Sequence, residues 1–415
     1  MRRRPNRKTT AAIIGVVLAG LCAGLAPLTT AAGRPTAGTR TAAADAPYRF
    51  VAAPDIFNQD IGDVRGQLGW DEGDPNSWTP QLDAAVDTVL DEIAGQRPRS
   101  LVVSGDLVEG HWGRDDMGTG IFGPTRTVAE RAANLRRAGA FYHGQNALKF
   151  AEHGLDVYAA VGDHDIGDNP WNGGSARLTF KRHHVGLFRS VFADAYTTSP
   201  DGSPRFADRP VGTQWQDTAY AVQLNPDVLL VTLDVFHATA DRVRAEVVGG
   251  QLAWLEGVLA DARERGVPWV VVQGHVPVLT PVRIRSSSGM SLARGERSRL
   301  WRTLSRYGVD LYLCGEVHDT SMRQADGVTQ IATGTPLYLR KASYLTADVY
   351  ADRMDLTVHE FSGVLLDPHP IWQGSGLKTQ GDLAYPSPSG VVGTMTLTSS
   401  GTAVSPTGKL LPYPG

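Results

Sequence analysis

The sequence predicts an α/β layered fold with a mixed, largely parallel sheet, and three observations carry that expectation. Six short apolar runs recur along the chain, amphipathic helical patterns lie between most of them, and the later segments switch to period-two alternation. Runs that are apolar throughout fit strands buried on both faces, and parallel strands need crossover connections, usually helical. A chain of 415 residues that is 42% hydrophobic and 20% charged has globular composition and the length for one large domain or two ordinary ones.

The first residues, MRRRPNRK, are cationic, and an apolar run from Ala11 to Leu25 leads to small residues around Ala31 and Ala43. That order is the order of a secretory signal peptide. The run is shorter than the roughly 20 residues a membrane span needs, so no span is expected after cleavage. Residues 1–44 are therefore expected to be signal peptide and lead-in, and the destination extracellular. The general secretory route and the twin-arginine route, which Arg2 and Arg3 allow, both stay open. Cys22 falls inside the apolar run, which leaves Cys314 as the only cysteine of the exported chain and excludes an intrachain disulfide. In the run LYLC it reads as a small core hydrophobe.

A main domain is expected over residues 45–365. Its strands are read at YRFVAA, beginning with Tyr48, and then at RSLVVS, LDVYAAV, DVLLVTL, PWVVVQ and DLYLC. One helix opens at Thr79 as cap and Pro80 in the first turn, and sets Leu82, Val86, Val89, Leu90 and Ile93 on one face. Others carry Leu252, Leu255 and Leu259, and Leu300 with Leu304. The segments VTQIATG and SYLTADVYADRMDLTVHEF alternate with period two and read as antiparallel strands. Residues 366–415, rich in Gly, Ser, Thr and Pro, read as a C-terminal extension, disordered or at most a hairpin over VVGTMTLTSSGTAVS. A formal net charge of -3 offers no clear nucleic-acid surface, and the oligomeric state stays open.

The chemistry concentrates at strand ends. VAAPD delivers Asp55, VVSGD delivers Asp106, AAVGDHD delivers Asp163, His164 and Asp165, VVQGH delivers His275, and YLCGEVH delivers Glu316 and His318. Loops beyond the carboxyl ends of strands are where α/β sheets place ligands. One Gly-Asp after a strand is most often an ordinary turn. Repeated acids and imidazoles at one sheet edge are different, because clustered carboxylates repel unless cations hold them together.

In that order and spacing, the blocks PDIF, GDLVEG, GDHD, GH and GEVH resemble the calcineurin-like metallophosphoesterase superfamily over about Arg49 to Phe361. The resemblance implies a two-sheet β-sandwich flanked by helices and a centre of two metal ions. It also implies hydrolysis of a small-molecule phosphate ester by a hydroxide generated at those ions. Asp106 would bridge the ions, Asp55 and His318 would hold the first, and Asp163, His275 and Glu316 the second. His164, held by Asp165, would steady the phosphoryl group or protonate the leaving oxygen.

Three positions depart from the family pattern. Phe57 stands where a metal-binding histidine is usual, and phenylalanine donates nothing to a metal. Purple acid phosphatases lack that histidine too and use a tyrosine at the position of Glu109, so the resemblance implies Glu109 as a compensating ligand. Asn58 competes for that role, and Glu109 as a plain solvated acid stays open. Asp163 and Glu316 replace an asparagine and a histidine, which enriches the site in oxygen donors and favours Mn, Mg or Fe ions over Zn. Two alternatives accompany the monoesterase reading: a phosphodiesterase or nuclease of the same fold, and a non-catalytic extracellular metal-binding module motivated by Phe57.

Overall fold

The apolar strand runs divide between two sheets, as the resemblance implies. The computed structural model describes residues 46–414 apart from 375, 380 and 381, so the expected signal peptide and lead-in lie outside the described residues. In chain order the strands are β1 (Tyr48–Ala52), β2 (Ser100–Val103), β3 (Val157–Ala159), β4 (Tyr220–Asn225), β5 (Val228–Thr232), β6 (Phe236–Ala238), β7 (Val243–Ala245), β8 (Trp269–Gln273) and β9 (Leu311–Cys314). There follow β10 (Ser321–Ala325), β11 (Val328–Ala332), β12 (Ser343–Val349), β13 (Arg353–Glu360), β14 (Val364–Leu365), β15 (Pro370–Gln373), β16 (Gly376–Thr379), β17 (Leu383–Ala384), β18 (Gly390–Thr398) and β19 (Ala403–Val404). The helices are α1 (Pro80–Gly95), α2 (Val128–Glu152), α3 (Ala176–His183), α4 (Val185–Tyr196), α5 (Gly249–Glu264) and α6 (Arg299–Arg306).

One sheet runs β19-β18-β13-β12-β1-β2-β3 and the other β10-β11-β9-β8-β5-β4. Each has a parallel heart, β1-β2-β3 in the first and β5-β8-β9-β11 in the second, with antiparallel strands outside it. VTQIATG thus departs from the antiparallel expectation, because β11 pairs with β9 in parallel as well as with β10 in antiparallel. The period of two decides which side chains meet between the sheets. Phe50 and Ala52 of β1 join Leu230, Val271, Leu313 and Leu356 in one core, while Val51 and Val103 face a second core with Leu82, Val86 and Leu90 of α1. With both faces covered, β5, β8 and β9 are buried at every position and almost wholly apolar, as their sequences read.

The helices form where the caps stand. Thr79 accepts the N–H of Leu82 at 3.0 Å and Pro80 fills the first turn of α1. The long α2 starts at a capping box, Thr127 and Glu130 each satisfying the other's backbone N–H. The tail takes the hairpin of the two alternatives and joins the main unit. β18 pairs along β13 from Arg353↔Thr398 to Glu360↔Gly390, so the hairpin over VVGTMTLTSSGTAVS extends the first sheet. Met395, Leu397 and Leu410 sit in the inter-sheet core, and residues 46–415 form one compact unit without a boundary at 365. The segment needs few large side chains because only one of its faces is buried. Among the described residues no helix is long and apolar enough to cross a membrane.

A buried histidine on α2 gives the fold a pH dependence. His143 is fully enclosed, with Trp112, Phe192 and Tyr196 at right angles around its ring and, among the described residues, no hydrogen-bond partner at either nitrogen. Burial pushes its pKa down to about 3. The unfolded chain therefore takes up the proton first as pH falls. This contribution to stability is complete above the unfolded value near 6.5 and is lost toward 3, at up to about 1.4 kcal/mol per pH unit. Denaturant midpoints at pH 7, 6 and 5 should fall more steeply for the wild type than for His143→Phe, and equal slopes would contradict this.

Candidate metal centre

The carboxyl ends of β1, β2, β3, β8 and β9 point to one lip of the sandwich, and each turns sharply there. Asp55, Asp106, Glu316 and His318 adopt left-handed backbone conformations, with φ of 57°, 59°, 69° and 55°. Non-glycine residues in that region cost about 1–3 kcal/mol each and persist where the surroundings fix them. The glycines beside them make the crowding possible. A Cβ on Gly162 would stand 2.1 Å from Asp106 Oδ1, and one on Gly315 would stand 2.3 Å from Asp55 Oδ2.

The turns bring three donor groups together, with the candidate ligand atoms of each group within 4.8 Å of one another: Asp55, Asp106 and His318; Asp106, Asp163 and His164; Asp163, His275 and Glu316. The surrounding hydrogen bonds choose which atom each side chain presents. His275 donates its Nδ1–H to the Ser104 carbonyl at 2.8 Å, so the lone pair of the neutral ring is on Nε2, facing Asp163 Oδ1 at 3.0 Å and Asp106 Oδ1 at 3.3 Å. Glu316 Oε1 accepts from Ser287 at 2.8 Å, Ser288 at 2.7 Å and the Met290 N–H at 3.0 Å, which leaves Oε2 for the centre. Asp163 Oδ2 accepts from Asn169 at 2.6 Å, leaving Oδ1. Asp55 Oδ1 accepts the Glu316 N–H at 3.2 Å, while Asp55 Oδ2 is buried and has no hydrogen-bond partner among the described residues.

These donors fit a metal ion. Burial, reinforced by Asp106 and Glu316, pushes the Asp55 carboxyl well up, and burial with repulsion from Asp163 raises Asp106 to about 7. Burial alone would raise Asp163 as well, but the His275 hydrogen bond and the His164 charge hold it below the usual range. Burial would lower His275, yet the acids around it overcome that and push it well up. Protons supply the positive charge that the crowded acids demand, which is the service a hard cation performs better.

Each residue singled out in the sequence has a definite place. Asp55, Asp106, Asp163, His275, Glu316 and His318 converge, in the two sets expected for a first and a second ion. Phe57 turns away into the core against Phe150, with ring centroids 5.2 Å apart, and the next residue faces the donors. Asn58 Nδ2 donates to Asp106 Oδ2 at 2.7 Å and lies 3.3 Å from His318 Nε2. Glu109 lines the same cavity of about 340 Å³, but its carboxylate contacts His111 Nδ1 at 3.0 Å and it belongs to none of the three donor groups.

Asp165 corrects an expectation. It does not hold His164; its carboxylate accepts the N–H groups of Gly162, Asp106 and Leu107 at 2.7, 3.0 and 3.1 Å and so ties two strand-end turns together. Adjacent residues of the short 3₁₀ turn His164–Ile166 point apart, and the histidine finds other partners. His164 donates Nδ1–H to the Glu109 carbonyl at 2.8 Å, and its Nε2 lies 3.7 Å from Asp168 Oδ1.

Several further residues line the cavity: Asp168 and Asn169, from the segment 166–216 where a substrate-shaping loop is expected, and Tyr338 and the run Ser286 to Ser288, which carry no motif. Asp168 left a faint signal, since Gly167-Asp168-Asn169-Pro170 continues the turn chemistry of the GDHD block. Asp234, also at a strand end, is engaged elsewhere, buried against Arg189 at 2.7 Å and Thr218 at 2.7 Å.

The family profile described as calcineurin-like phosphoesterase matches residues 55–319, well over half of the chain. A search of curated proteins finds no match. Among solved structures, PhoD is similar with a TM-score of 0.51 at 11% identity, covering 89% of this chain and 73% of that one, which is a likeness of fold. A dimetal phosphatase from Danio rerio aligns with a TM-score of 0.46 at 16% identity, covering 75% of this chain and 96% of that one.

Proposed function

Because the chain belongs to the calcineurin-like phosphoesterase family, we propose that it is an exported hydrolase of small-molecule phosphate esters that works with two metal ions. The observation that carries this reading is the convergence of Asp55, Asp106 and His318 beside Asp163, His275 and Glu316, two donor sets meeting at Asp106. When bound, the ions supply Lewis-acid polarisation of the phosphoryl group and an activated water for in-line displacement. Asp106 directs Oδ1 toward the His275 set and Oδ2 toward Asn58 and the first set, the arrangement of a bridging carboxylate. Asn58 supports the first set better than Glu109 does, since a half-turn of its amide presents Oδ1 between Asp106 and His318.

His164 is the proton donor of this reading. Its Nδ1–H is committed to the Glu109 carbonyl, and Asp168 near Nε2 favours a proton on the face that lines the cavity, where a leaving oxygen takes it. The direct attack of water leaves no phospho-enzyme.

Dialysis against a chelator is expected to remove turnover of an aryl phosphate and lower the melting temperature. Mn²⁺, Mg²⁺ or Fe should restore both, with two ions per chain by elemental analysis. Stoichiometric zinc with full activity would contradict the metal preference, and full activity after exhaustive chelation would contradict the whole reading. A bis-aryl phosphate in parallel distinguishes a diesterase. Export rests on the order of charges and apolar residues before Tyr48. Protein recovered from culture medium should begin near residue 33 or 45, and an intact Met1 in the cytosol would overturn export.

A further inference from the structure

Beside the acid-lined cavity lies a smaller one of opposite charge. It measures about 120 Å³ and is walled by Trp112, Arg114, Arg131, Arg177, Phe180 and Lys181. A site for one water needs about 10–15 Å³, so this cleft has room for a compact oxyanion. Four of its walls are cationic, and the one carboxylate at its rim, Asp116, is already held by the Arg114 guanidinium. Arg177 and Lys181 stand one turn apart on α3 and share a face. Arg131, on α2, gives its Nε–H to the Thr125 carbonyl at 3.0 Å and keeps the rest of its fork.

Lys181 is the sharpest feature. Its side chain is buried and donates to the Asp168 carbonyl, and among the described residues no carboxylate lies within ion-pair reach of it or of Arg177. A buried ammonium without a counter-charge is unfavourable, and like charges around one void are relieved by an anion. Burial first, and then Arg177 and Arg114, push Lys181 down to about 8 against the opposing pull of Asp168.

The cleft and the metal centre share a wall. Asp168 turns its carboxylate to His111 at 2.5 Å and to His164 at 3.7 Å on the centre's side, while its carbonyl takes Lys181 on the other. The chain steps from His111 in one cavity to Trp112 in the next. The geometry points to the cleft as the binding site for a second oxyanion of the substrate, so that the preferred ester carries two anionic groups, one at the centre and one among Arg131, Arg177 and Lys181. This rests on the hydrolase reading. The cationic cleft attracts the second oxyanion, which fixes the direction in which the ester lies. A bidentate guanidinium suits phosphate best.

Alkanediol bisphosphates of increasing chain length, each paired with the alkyl monophosphate of the same length, test the proposal on the protein as purified. The wild type should favour the bisphosphate in kcat/KM by about tenfold or more at one length, and the ratio should fall toward one in Arg177→Gln. Arg177 is exposed, so its loss leaves the packing intact; Lys181→Gln is the second variant. A wild-type ratio near one at every length, or a ratio unchanged in Arg177→Gln, overturns the inference. Calorimetric binding of inorganic phosphate that Arg177→Gln abolishes, with ratios near one, gives the cleft to free phosphate and also overturns it. If the wild type turns over neither ester, the hydrolase reading has failed by itself. Bisphosphate that binds more tightly than monophosphate in the wild type but not in Arg177→Gln then supports the cleft, and equal binding refutes it.

Discussion

Asp106→Asn is expected to lower kcat by about 10³-fold or more, about 4 kcal/mol of barrier. It is also expected to leave the chain with fewer than two tightly held ions. The carboxylate lies where the donor sets meet, with Oδ1 3.3 Å from His275 Nε2 and Oδ2 accepting from Asn58 at 2.7 Å. An amide keeps the size and one oxygen but loses the charge and the second acceptor, so it cannot serve two cations at once. Burial already raises the acid to about 7, so replacing it removes a strained charge and the apo fold should hold. Loss of metal and turnover with an unchanged melting temperature after chelation is the expected pattern. Near-wild-type kcat with two bound ions would remove Asp106 from the bridging role.

Gly162→Ala should be nearly as damaging, although it adds only a methyl group and no charge. The new carbon would meet Asp106 Oδ1 at 2.1 Å and Asp106 N at 2.3 Å, so the β2 and β3 turns have to separate. Asp165 ties the same turns together through the N–H groups of Gly162 and Asp106, so the shift reaches Asp163 and the His275 contact. A displacement near 1 Å in such a site costs about 10²-fold in kcat/KM. Gly257→Ala is the natural contrast, since among the described residues no atom beyond its own helix backbone and chain neighbours lies within 4 Å of its added carbon, and it sits inside α5. That variant should gain about 0.5–1 kcal/mol of stability with unchanged turnover. Equal effects of the two alanines would mean that crowding at the strand ends is not what the glycine provides.

Much of this was readable along the chain. Runs such as WVVVQ and LYLC announce strands covered on both faces, and Thr79-Pro80 announces the start of a helix, because these are local properties of side-chain size, branching and capping. The opening of α2 is equally local, in the capping pair of Thr127 and Glu130. The tail's place in the first sheet is not a local property. Its alternating Thr394, Met395, Thr396, Leu397 and Thr398 look sparse until β13 supplies the partner edge and the second sheet the apolar cover.

Sequence by itself determined the strand ends and the donors they carry, since an acid or imidazole after Gly at the close of an apolar run is a one-dimensional fact. Only the tertiary structure decided that Phe57 faces Phe150 while Asn58 faces Asp106, that Asp165 serves backbone N–H groups instead of His164, and that Lys181 is buried beside Arg177. The physical reason is direction. Residue order fixes which group stands at the end of a strand, but the φ of one turn residue and the packing behind it decide which way its neighbour points.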